Sequence, residues 1–317
     1  MSIKNEVLKL LQNNANYLSG EDMAQQLNVS RTAVWKAIKS LQHEGYEIFA
    51  TSNKGYKLGN ADILSKEGIE QYLTVDCSLE VQSLVTSTNT LMVQRAIAGE
   101  KEKTILIAGA QSQGRGRTGH TFYSPEQTGI YLSILLKPEN TTPYEATNIT
   151  SMAAVAACEA IESMGKQPEI KWINDIFINK KKVSGILTEA SINMETKLMD
   201  YVVMGIGLNV YAPKEGFPED IKNIAGPILD KTIRDGRNKI AAAFINSFLT
   251  YYENFKDKTY YESYKSHSMI LGQDVYIDTR EGRKKVFAKD IDPNFELIII
   301  ENGKERTVSS GEVHIKL

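Results

Sequence analysis

The stretch "SGEDMAQQLNVSRTAVWKAIKSLQHEGYEIFATSNKGYKL", residues 19–58, holds start and stop signals for two helices and then a hairpin signal. Ser19, with Asp22 three residues later, is typical of a capping-box start, and Ser30 is placed to cap the next helix. Gly45 should end that helix, because a C′ residue usually adopts the left-handed conformation that glycine tolerates. The spacing predicts two short helices joined by the tight turn "NVS".

The helix after that turn has a clear inward face. Val34, Ile38 and Leu41 repeat at i, i+4 and i+7, which predicts burial of this stripe. Upstream, residues 3–11 have the same helical rhythm, and downstream two short apolar runs flank Asn53–Gly55, a hairpin signal. Three short helices followed by a hairpin predict a winged helix-turn-helix over residues 1–63.

The outer face of this predicted domain is basic. Residues 31–57 contain five Lys or Arg and two acidic residues, although the whole chain is slightly acidic. A solvated helix face is the simpler interpretation, but a short turn between helices with a basic wing favours DNA, with the third helix in the major groove. The predicted DNA-binding residues are Ser30, Arg31, Thr32, Trp35, Lys36, Lys39 and Lys54.

The rest of the chain changes pattern twice. Residues 64–267 alternate predicted strands and helices, with several strands in succession, which favours an α+β domain with a mixed sheet. Residues 268–317 contain four short strand-like runs separated by "REGR", "DPNF" and "NG", the rhythm of a small β-barrel. We therefore expect three domains, with boundaries near residues 63 and 267.

Composition limits the functional class. A net charge of −2, from 37 Lys and Arg against 39 Asp and Glu, excludes a generally basic nucleic-acid coat but allows a local basic patch. The apolar runs are too short to span a bilayer, and the first residues have no signal-peptide cleavage pattern. Two cysteines are too few for a disulfide framework or a metal cage. These features predict a cytoplasmic protein.

A glycine-rich loop, "GAQSQGRGRTGHTFYSP" at residues 109–125, follows a predicted strand. It contains no P-loop pattern, and its glycines lack the βαβ setting and ribose-binding acid of a Rossmann fingerprint. Glycine lets the backbone approach an anion closely, and Arg115 and Arg117 can each bind phosphate or carboxylate oxygens in bidentate fashion. An exposed surface loop is the alternative.

A second cluster, "KWINDIFINKKKVSGILTE", covers residues 171–189. Asp175 interrupts a strand-like run and could hold Mg²⁺ together with a phosphate, since magnesium often takes only one or two protein carboxylates. Lys182 precedes an apolar strand, where its charge could neutralise a carboxyl or phosphate oxygen. Lys180 and Lys181 are interpreted as a solvated hairpin tip.

Two further stretches permit a ligand site. Gly205 and Gly207 within the apolar run "MGIGLNV" indicate a close backbone or ligand approach, or helix-on-sheet packing. Ser87, Thr88 and Asn89 stand where a strand gives way to a helix. They are good N-caps, and they could also bind a small polar head group.

The four histidines lie in unrelated contexts, and no Ser–His–Asp or Cys–His arrangement can be assembled. Covalent enzyme catalysis is therefore not indicated. Orientation combined with charge stabilisation of a phosphorylated transition state fits the basic and glycine-rich clusters better.

Taken together, these clusters resemble one family. "STN", "QSQGRGR", "KWIND", "KKVSGILTE" and "GIGLNV", in this order, are similar to the biotin–protein ligases. The stretch at 19–58 resembles the DNA-binding domain of the bifunctional ligases of that family, which also repress the biotin operon. The resemblance covers nearly the whole chain, and the combination of motifs is highly specific.

The resemblance implies an activity. The central domain would join biotin and ATP, with Mg²⁺, into biotinyl-5′-adenylate and pyrophosphate. It would then transfer biotin to a lysine of the biotin carboxyl carrier domain of acetyl-CoA carboxylase or a related carboxylase. The adenylate-bound form would be a homodimer that binds operator DNA through two winged helices, and the C-terminal barrel would be SH3-like.

The resemblance also implies roles for residues at matching positions. The reacting centre would use Lys182, Arg115 and Arg117, and Asp175 would serve the metal. The biotin site would comprise Ser87, Thr88, Asn89, Gln111, Gly114, Arg115, Gly116, Arg117, Lys182, Gly185 and Gly205. The ATP and adenylate site would comprise Arg117, Phe122, Asn174, Asp175 and Asn209.

Three positions depart from the family pattern. Ile173 replaces a proline, which changes local stiffness but no ligand group. Phe122 stands where a tryptophan is usual and offers no N–H donor, and His120 stands where a third arginine is frequent. Two alternatives stay open: a lipoate-attaching ligase of the same fold type, and a ligand-sensing transcription factor without enzymatic activity.

Overall fold

The computed structural model describes residues 2–14, 16–52, 54–59, 62–279, 282–309, 311 and 313–314. The chain forms two compact units, the first comprising Met1–Gln71 with Lys231–Asn238 and the second Tyr72–Asp230 with Lys239–Leu317. The predicted three-domain division with boundaries near 63 and 267 stays a prediction. In the described part of the chain, no helix has the length and apolarity needed to cross a bilayer.

The first unit contains the helix-turn-helix and the hairpin. Its elements are α1 (Ile3–Asn13), α2 (Gly20–Leu27), α3 (Arg31–His43), β1 (Ile48–Thr51), β2 (Gly55–Leu58) and α4 (Lys66–Glu70). The predicted caps are confirmed, since Ser19 Oγ accepts from the Asp22 amide at 3.0 Å and Ser30 Oγ from the Ala33 amide at 3.2 Å. The two strands pair antiparallel as a wing, but Asn53 of the predicted turn lies outside the described residues.

The core of the first unit is formed by the predicted stripe of α3. Val34, Ile38 and Leu41 are buried against apolar residues of α1 and α2. Gly45 has a φ of +94°, and the Tyr46 amide donates to the Leu41 carbonyl, which ends α3 as predicted. The local signals thus specify the helices and the face that each one buries.

A short segment distant in sequence completes this unit. Arg237 forms an ion pair with Asp62 at 3.2 Å, with side chains only 6% and 2% exposed. The Arg234 guanidinium also donates to the Leu11 carbonyl at 3.0 Å. The segment Lys231–Asn238 therefore belongs to the first unit, and the sequence analysis did not predict this.

The second unit is an α+β structure, as predicted. Its helices are α5 (Thr88–Ile97), α6 (Pro143–Ala146), α7 (Asn148–Glu162), most of α8 (Gly236–Glu253) and α9 (Tyr261–His267). Its first seven strands are β3 (Ser78–Gln82), β4 (Thr104–Ala108), β5 (Gly129–Leu136), β6 (Glu169–Lys171), β7 (Asp175–Ile178), β8 (Lys181–Ile192) and β9 (Met199–Asn209).

These seven strands form one mixed sheet in the order β3-β4-β5-β9-β8-β7-β6. Only β3 and β4 pair in parallel, so the predicted mixed sheet is confirmed. Every residue of β5 is buried, and α7 is buried along almost its whole length, so the core lies between this helix and the sheet. The chemistry-bearing loops connect these central elements.

The C-terminal strands form a second sheet in the same unit. They are β10 (Gln273–Thr279), β11 (Gly282–Ile291), β12 (Leu297–Glu301), β13 (Lys304–Val308) and β14 (Val313–His314). All pairs are antiparallel, in the order β13-β12-β11-β10-β14. The four predicted strands are present, but within the described residues the sheet is open rather than closed into the predicted SH3-like barrel.

Candidate active site

Two neighbouring cavities lie against the seven-stranded sheet of the second unit. The larger has a volume of about 340 Å³ and is lined by the glycine loop, the start of β7 and the start of β8. The smaller, about 20 Å³, is lined by the N-terminus of α5, Gln111 and the glycines of β9. Arg115, Phe122 and Gly185 line both, so the two cavities form one candidate site.

The N-terminus of α5 supplies a buried polar set to the smaller cavity. The Ser87 hydroxyl accepts from the Thr90 amide, so the capping interpretation holds for this residue. The amide and hydroxyl of Thr88 both donate to Gln111 Oε1, at 2.8 and 3.1 Å. Gln111 Nε2 in turn donates to Ser124 Oγ at 2.9 Å, which holds the amide in one orientation. The structure thus brings Ser87, Thr88 and Gln111 together.

Asn89 connects this set to the strands. Its Nδ2 donates to the Leu187 carbonyl at 3.2 Å and to Glu189 Oε2 at 3.1 Å, and Ser133 Oγ lies 2.6 Å from its Oδ1. Ser133 is fully buried. Sequence reasoning missed Ser133 and Glu189. Glu189 ends the motif "KKVSGILTE" and could have been recognised there. Ser133 lies within the otherwise apolar strand β5, and no neighbouring residue indicated a role for it.

The glycines of β9 permit a close approach by neighbouring side chains. A Cβ on Gly205 would collide with the Asn89 amide, and one on Gly207 would lie 2.6 Å from Cζ of Phe122. The Phe122 ring packs on Tyr131 with centroids 6.3 Å apart. The space above both glycines is occupied by side chains of the protein itself, Asn89 of α5 and Phe122 of the glycine loop, so the strand shows close packing here and the ligand approach stays a prediction.

Replacement of Gly205 by alanine should destabilise the protein by about 1–3 kcal/mol, because the new methyl group overpacks against the hydrogen-bonded Asn89. Chemical denaturation monitored by circular dichroism would measure this loss. Gly185→Ala is the matched control on the neighbouring strand, where the nearest atoms are Cε and Nζ of Lys182, at 3.2 and 3.3 Å. That flexible tip can move, so an equal or larger loss for the control would contradict this account.

The glycine loop is folded back on itself beside these cavities. The Gly116 amide donates to the His120 carbonyl at 2.7 Å, and Arg117–Gly119 form a single 3₁₀ turn. The Phe122 amide donates to the Gly114 carbonyl at 2.9 Å, and a Cβ on Gly114 would lie 2.6 Å from Ser124 Oγ. Glycine is required at 114 because the returning chain leaves no room for a side chain.

The two predicted arginines of this loop reach opposite parts of the site. Arg115 binds Glu189 through both nitrogens, with Nη1 3.0 Å from Oε2 and Nη2 2.9 Å from Oε1. Arg117 Nη1 donates to Asn174 Oδ1 at 2.8 Å, and Asn174 Nδ2 donates to the Ile186 carbonyl at 3.0 Å. Both guanidinium groups therefore line the larger cavity from the loop side.

The opposite wall carries the predicted lysine and aspartate. Lys182 Nζ lies 2.7 Å from Asp175 Oδ1, with side chains 30% and 19% exposed. Arg115, Arg117, Lys171 and Lys182 line this cavity, and Asp175 is the one acidic residue among the described residues that line it. Even with Arg115 paired to Glu189 and Lys182 paired to Asp175, these four cations outnumber the two carboxylates, and the net positive charge suits a polyanionic ligand.

The same wall offers few ligands to a divalent metal. Among the described residues no group of three or more His, Cys, Asp or Glu could hold a metal ion by itself. A single carboxylate fits Mg²⁺ only where phosphate oxygens and water supply most ligands. The donor set therefore fits magnesium that arrives with a nucleotide rather than a resident metal.

The predicted site residues are not all brought together. Gly116, Asn174 and Asp175 line the larger cavity, but Gly114 and Asn209 line neither cavity. Asn209 pairs with Gly129 at the end of β9. Sequence reasoning missed nine residues of the larger cavity: Lys171, Trp172, Thr121, Phe177, Ile186, Leu187, Ile224, Gly311 and Val313. The first two belong to the "KWIND" motif, whereas Ile224, Gly311 and Val313 come from distant segments without a local signal.

The first unit has a groove of its own on the predicted DNA-binding face. This groove, about 670 Å³, lies between α3 and the wing and is lined by Arg31, Thr32 and Trp35 together with Thr51 and Ser52. Trp35 is 51% exposed, an unusual position for a large aromatic side chain in a small domain. The predicted DNA-binding residues are all exposed: Ser30, Arg31, Thr32, Trp35, Lys36, Lys39 and Lys54.

Part of each unit matches a known protein family. Residues 81–209 match the biotin/lipoate A/B protein ligase family, and residues 4–57 match a helix-turn-helix domain family. The bifunctional ligase/repressor BirA of Bacillus subtilis (strain 168) is 32% identical over 327 residues, covering 92% of this chain and 98% of that protein. The protein of the same name from Escherichia coli (strain K12) is 26% identical, covering 96% and 94%.

A solved structure shares the fold of about three quarters of this chain. The biotin protein ligase from Aquifex aeolicus in complex with biotin and ATP superposes with a TM-score of 0.60 at 24% identity, covering 74% of this chain and 97% of that chain. At this level of identity the likeness concerns the fold.

Proposed function

The chain belongs to the family of bifunctional biotin ligase/repressors, and from this premise we propose that it activates biotin with ATP, transfers it to a carrier protein and represses transcription. The ligase reaction has two steps. A biotin carboxylate oxygen attacks the α-phosphorus of ATP and pyrophosphate leaves; a lysine amine of the acceptor then attacks the acyl carbon and AMP leaves. The acceptor is the biotin carboxyl carrier domain of acetyl-CoA carboxylase or a related enzyme.

One observation carries the ligase proposal: a buried set of hydroxyl and amide groups adjoins a cavity lined by four cations. Biotin offers a ureido ring that needs fixed donors and acceptors, and its adenylate offers a phosphate that needs positive charge. Ser87, Thr88, Asn89 and Gln111 would bind the ring, and Gly185 and Gly205 would line the smaller cavity. The larger cavity would then receive the nucleotide.

The nucleotide roles follow from the walls of the larger cavity. Lys182 would contact carboxylate and phosphate oxygens at the reacting centre, and Arg115 and Arg117 would stabilise the phosphate charge. Asn174 and Asp175 would serve the nucleotide and its magnesium ion, which enters as part of the substrate. Phe122 would cover the adenine. Asn209 would contact the nucleotide from the adenine side.

The glycine loop would act as a flap over the activated intermediate. Gly114 and Gly116 allow its backbone to fold close to the ligand, and closure would exclude water that hydrolyses the mixed anhydride. The loop is thus expected to be mobile before ligands bind and ordered afterwards. A change in loop order with the adenylate also offers a route by which ligand binding could control assembly.

For the repressor function, α3 would enter the major groove and the wing would reach the backbone or the minor groove. Two copies would dimerise when the adenylate is bound and would occupy a palindromic operator. The SH3-like character of the C-terminal sheet, which the resemblance implies, stays a prediction.

The direct test is an assay with labelled biotin, MgATP and a carrier domain. Pyrophosphate release, bound biotinyl-adenylate detected by mass spectrometry and labelled carrier are expected. A protein that binds biotin without releasing pyrophosphate would be a sensor rather than a ligase. Lipoate that competes better than biotin in the same assay would identify a lipoate-attaching enzyme instead.

Arg117→Ala should leave biotin binding partly intact but let the adenylate escape faster, because one charge-assisted anchor is removed. The expected cost is about 1.5–3 kcal/mol, roughly a tenfold to hundredfold faster release. Pulse-chase release of labelled adenylate would measure it. Arg117→Lys keeps the charge without the bidentate fork and should be intermediate. An unchanged residence time in Arg117→Ala would mean that the loop does not hold the adenylate.

A further inference from the structure

The loop that carries Asn174 and Asp175 is tied to the C-terminal sheet. Trp172, only 3% exposed, directs its indole Nε1 to the Phe295 carbonyl at 2.8 Å. Phe295 lies in the turn between β11 and β12, and its own side chain is 1% exposed. A buried hydrogen bond therefore joins residues far apart in the sequence.

The acceptor of this hydrogen bond is held in a fixed direction. Asp292 Oδ1 accepts from the amides of Asn294 and Glu296, at 2.8 and 2.9 Å. The Phe295 amide donates to the Asp292 carbonyl at 2.9 Å, and Phe295 has a φ of +63°. The turn is closed by its own hydrogen bonds, so the Phe295 carbonyl cannot easily rotate away from Trp172.

A second tether holds the next residue of the loop. Tyr264 of α9, fully buried, donates its hydroxyl to the Ile173 carbonyl at 3.1 Å. Its ring packs edge-on against Phe295, with centroids 5.2 Å apart. Burial raises the pKa of Tyr264 far above its usual value, so the hydroxyl keeps its proton and stays a donor. Two consecutive loop residues are thus held by neighbouring groups.

The tethered backbone leads directly into the cationic cavity. Asn174, the next residue, binds Arg117 at 2.8 Å, and Asp175 forms the ion pair with Lys182 at 2.7 Å. A shift of residues 172–173 would move both contacts. Small displacements at such positions are costly for catalysis, since reacting groups must be held within a fraction of an ångström.

We propose that Trp172 and Tyr264 are positioning residues: through their hydrogen bonds to Phe295 and Ile173, the C-terminal part of the second unit aligns Asn174 and Asp175 for the nucleotide. The inference rests on the proposed ligase function. It predicts that Trp172 and Tyr264 support the binding of ATP and have no role in the binding of biotin.

The test uses the full-length protein and compares Trp172→Phe, Tyr264→Phe and Tyr260→Phe. Trp172→Phe keeps a ring but loses the donor from the loop to the Phe295 carbonyl, and Tyr264→Phe keeps a ring but loses the donor to the Ile173 carbonyl. Tyr260 is the matched control, because it stacks on Phe295 at 5.3 Å and its hydroxyl reaches the Phe255 carbonyl at 3.4 Å rather than the loop. Pyrophosphate release is measured against ATP and biotin separately, together with the free energy of unfolding.

Trp172→Phe and Tyr264→Phe should each raise the KM for ATP about tenfold, as loss of one buried hydrogen bond allows, with the KM for biotin nearly unchanged. Tyr260→Phe should leave both constants as in the wild type. The inference is overturned if the first two variants raise the KM for ATP no more than Tyr260→Phe, or if the KM values for ATP and biotin rise together. Absence of pyrophosphate release by the wild type would instead reject the proposed function.

Discussion

Lys182→Met should lower the rate of biotinyl-adenylate formation about 10²- to 10³-fold, the usual effect of removing one pre-organised charge from a reacting centre. Lys182 lies at the start of β8, where its Nζ contacts Asp175 at the wall of the cationic cavity. Methionine keeps an unbranched side chain of similar length but cannot neutralise the charge that develops on the α-phosphate. Single-turnover pyrophosphate release with saturating ATP would measure the loss.

A matched control separates this effect from a general loss of positive charge. Lys181 is adjacent, but its Nζ donates to the Asn223 carbonyl at 2.7 Å rather than reaching Asp175. Lys181→Met should therefore retain most of the activity. Lys182→Arg keeps the charge with altered geometry and should be intermediate. Equal rates for the two methionine variants would remove Lys182 from the mechanism.

The free energy of unfolding must be measured beside the rate. Removing Lys182 leaves Asp175, whose side chain is only 19% exposed, without this partner. An uncompensated carboxylate can destabilise the fold. A Lys182→Met variant that is folded at the assay temperature but inactive would support the catalytic role. Recovery of full activity on cooling would instead indicate that the substitution affects only stability.

The helix-turn-helix could be predicted because its signals are local. Ser19, Ser30 and Gly45 cap or end helices through contacts within four residues of their own positions. The spacing of the apolar residues of α3 indicates which face of that helix is buried. The glycine loop and "KWIND" could be predicted as parts of a site for a similar reason, since each of them places its charged side chains within one short stretch of the chain.

The features that could not be predicted from the sequence depend on contacts between residues far apart in the chain. Segment 231–238 belongs to the first unit through partners such as Asp62 and Leu11, which lie more than 170 residues away. Ile224, Gly311 and Val313 line the larger cavity only because their segments return to it. No rule of residue spacing predicts such long-range contacts. The family resemblance implied roles for individual residues but did not identify these three cavity-lining residues.

The open C-terminal sheet is another example. Alternation and turn residues predicted its four longer strands, but whether a sheet closes depends on stagger and on the pairing of its first and last strands. The short strand β14 pairs with β10 through Tyr276 and Ile277 and carried too few residues to be recognised. Local signals thus gave the strands and not their closure.

Deletion of residues 1–63 should abolish operator binding and spare ligation. The truncation removes α3 and the wing, which carry all seven predicted DNA contacts. The described residues that line the two catalytic cavities all belong to the second unit. Operator binding by electrophoretic mobility shift and ligation of a carrier domain would be measured on the same preparation.

The structure indicates that this truncation also lowers the stability of the remaining protein. Arg237 would lose Asp62, and breaking a buried ion pair typically costs about 3–5 kcal/mol, although hydration of the newly exposed segment would reduce that loss. We therefore expect a lower melting temperature with ligation retained at 25 °C. Lys36→Ala in the full-length protein provides the matched comparison, because it should weaken operator binding while leaving both ligation and the melting temperature unchanged. If the truncated protein is folded by circular dichroism yet fails to ligate, the winged helix contributes to catalysis, and the separation of the two activities is wrong.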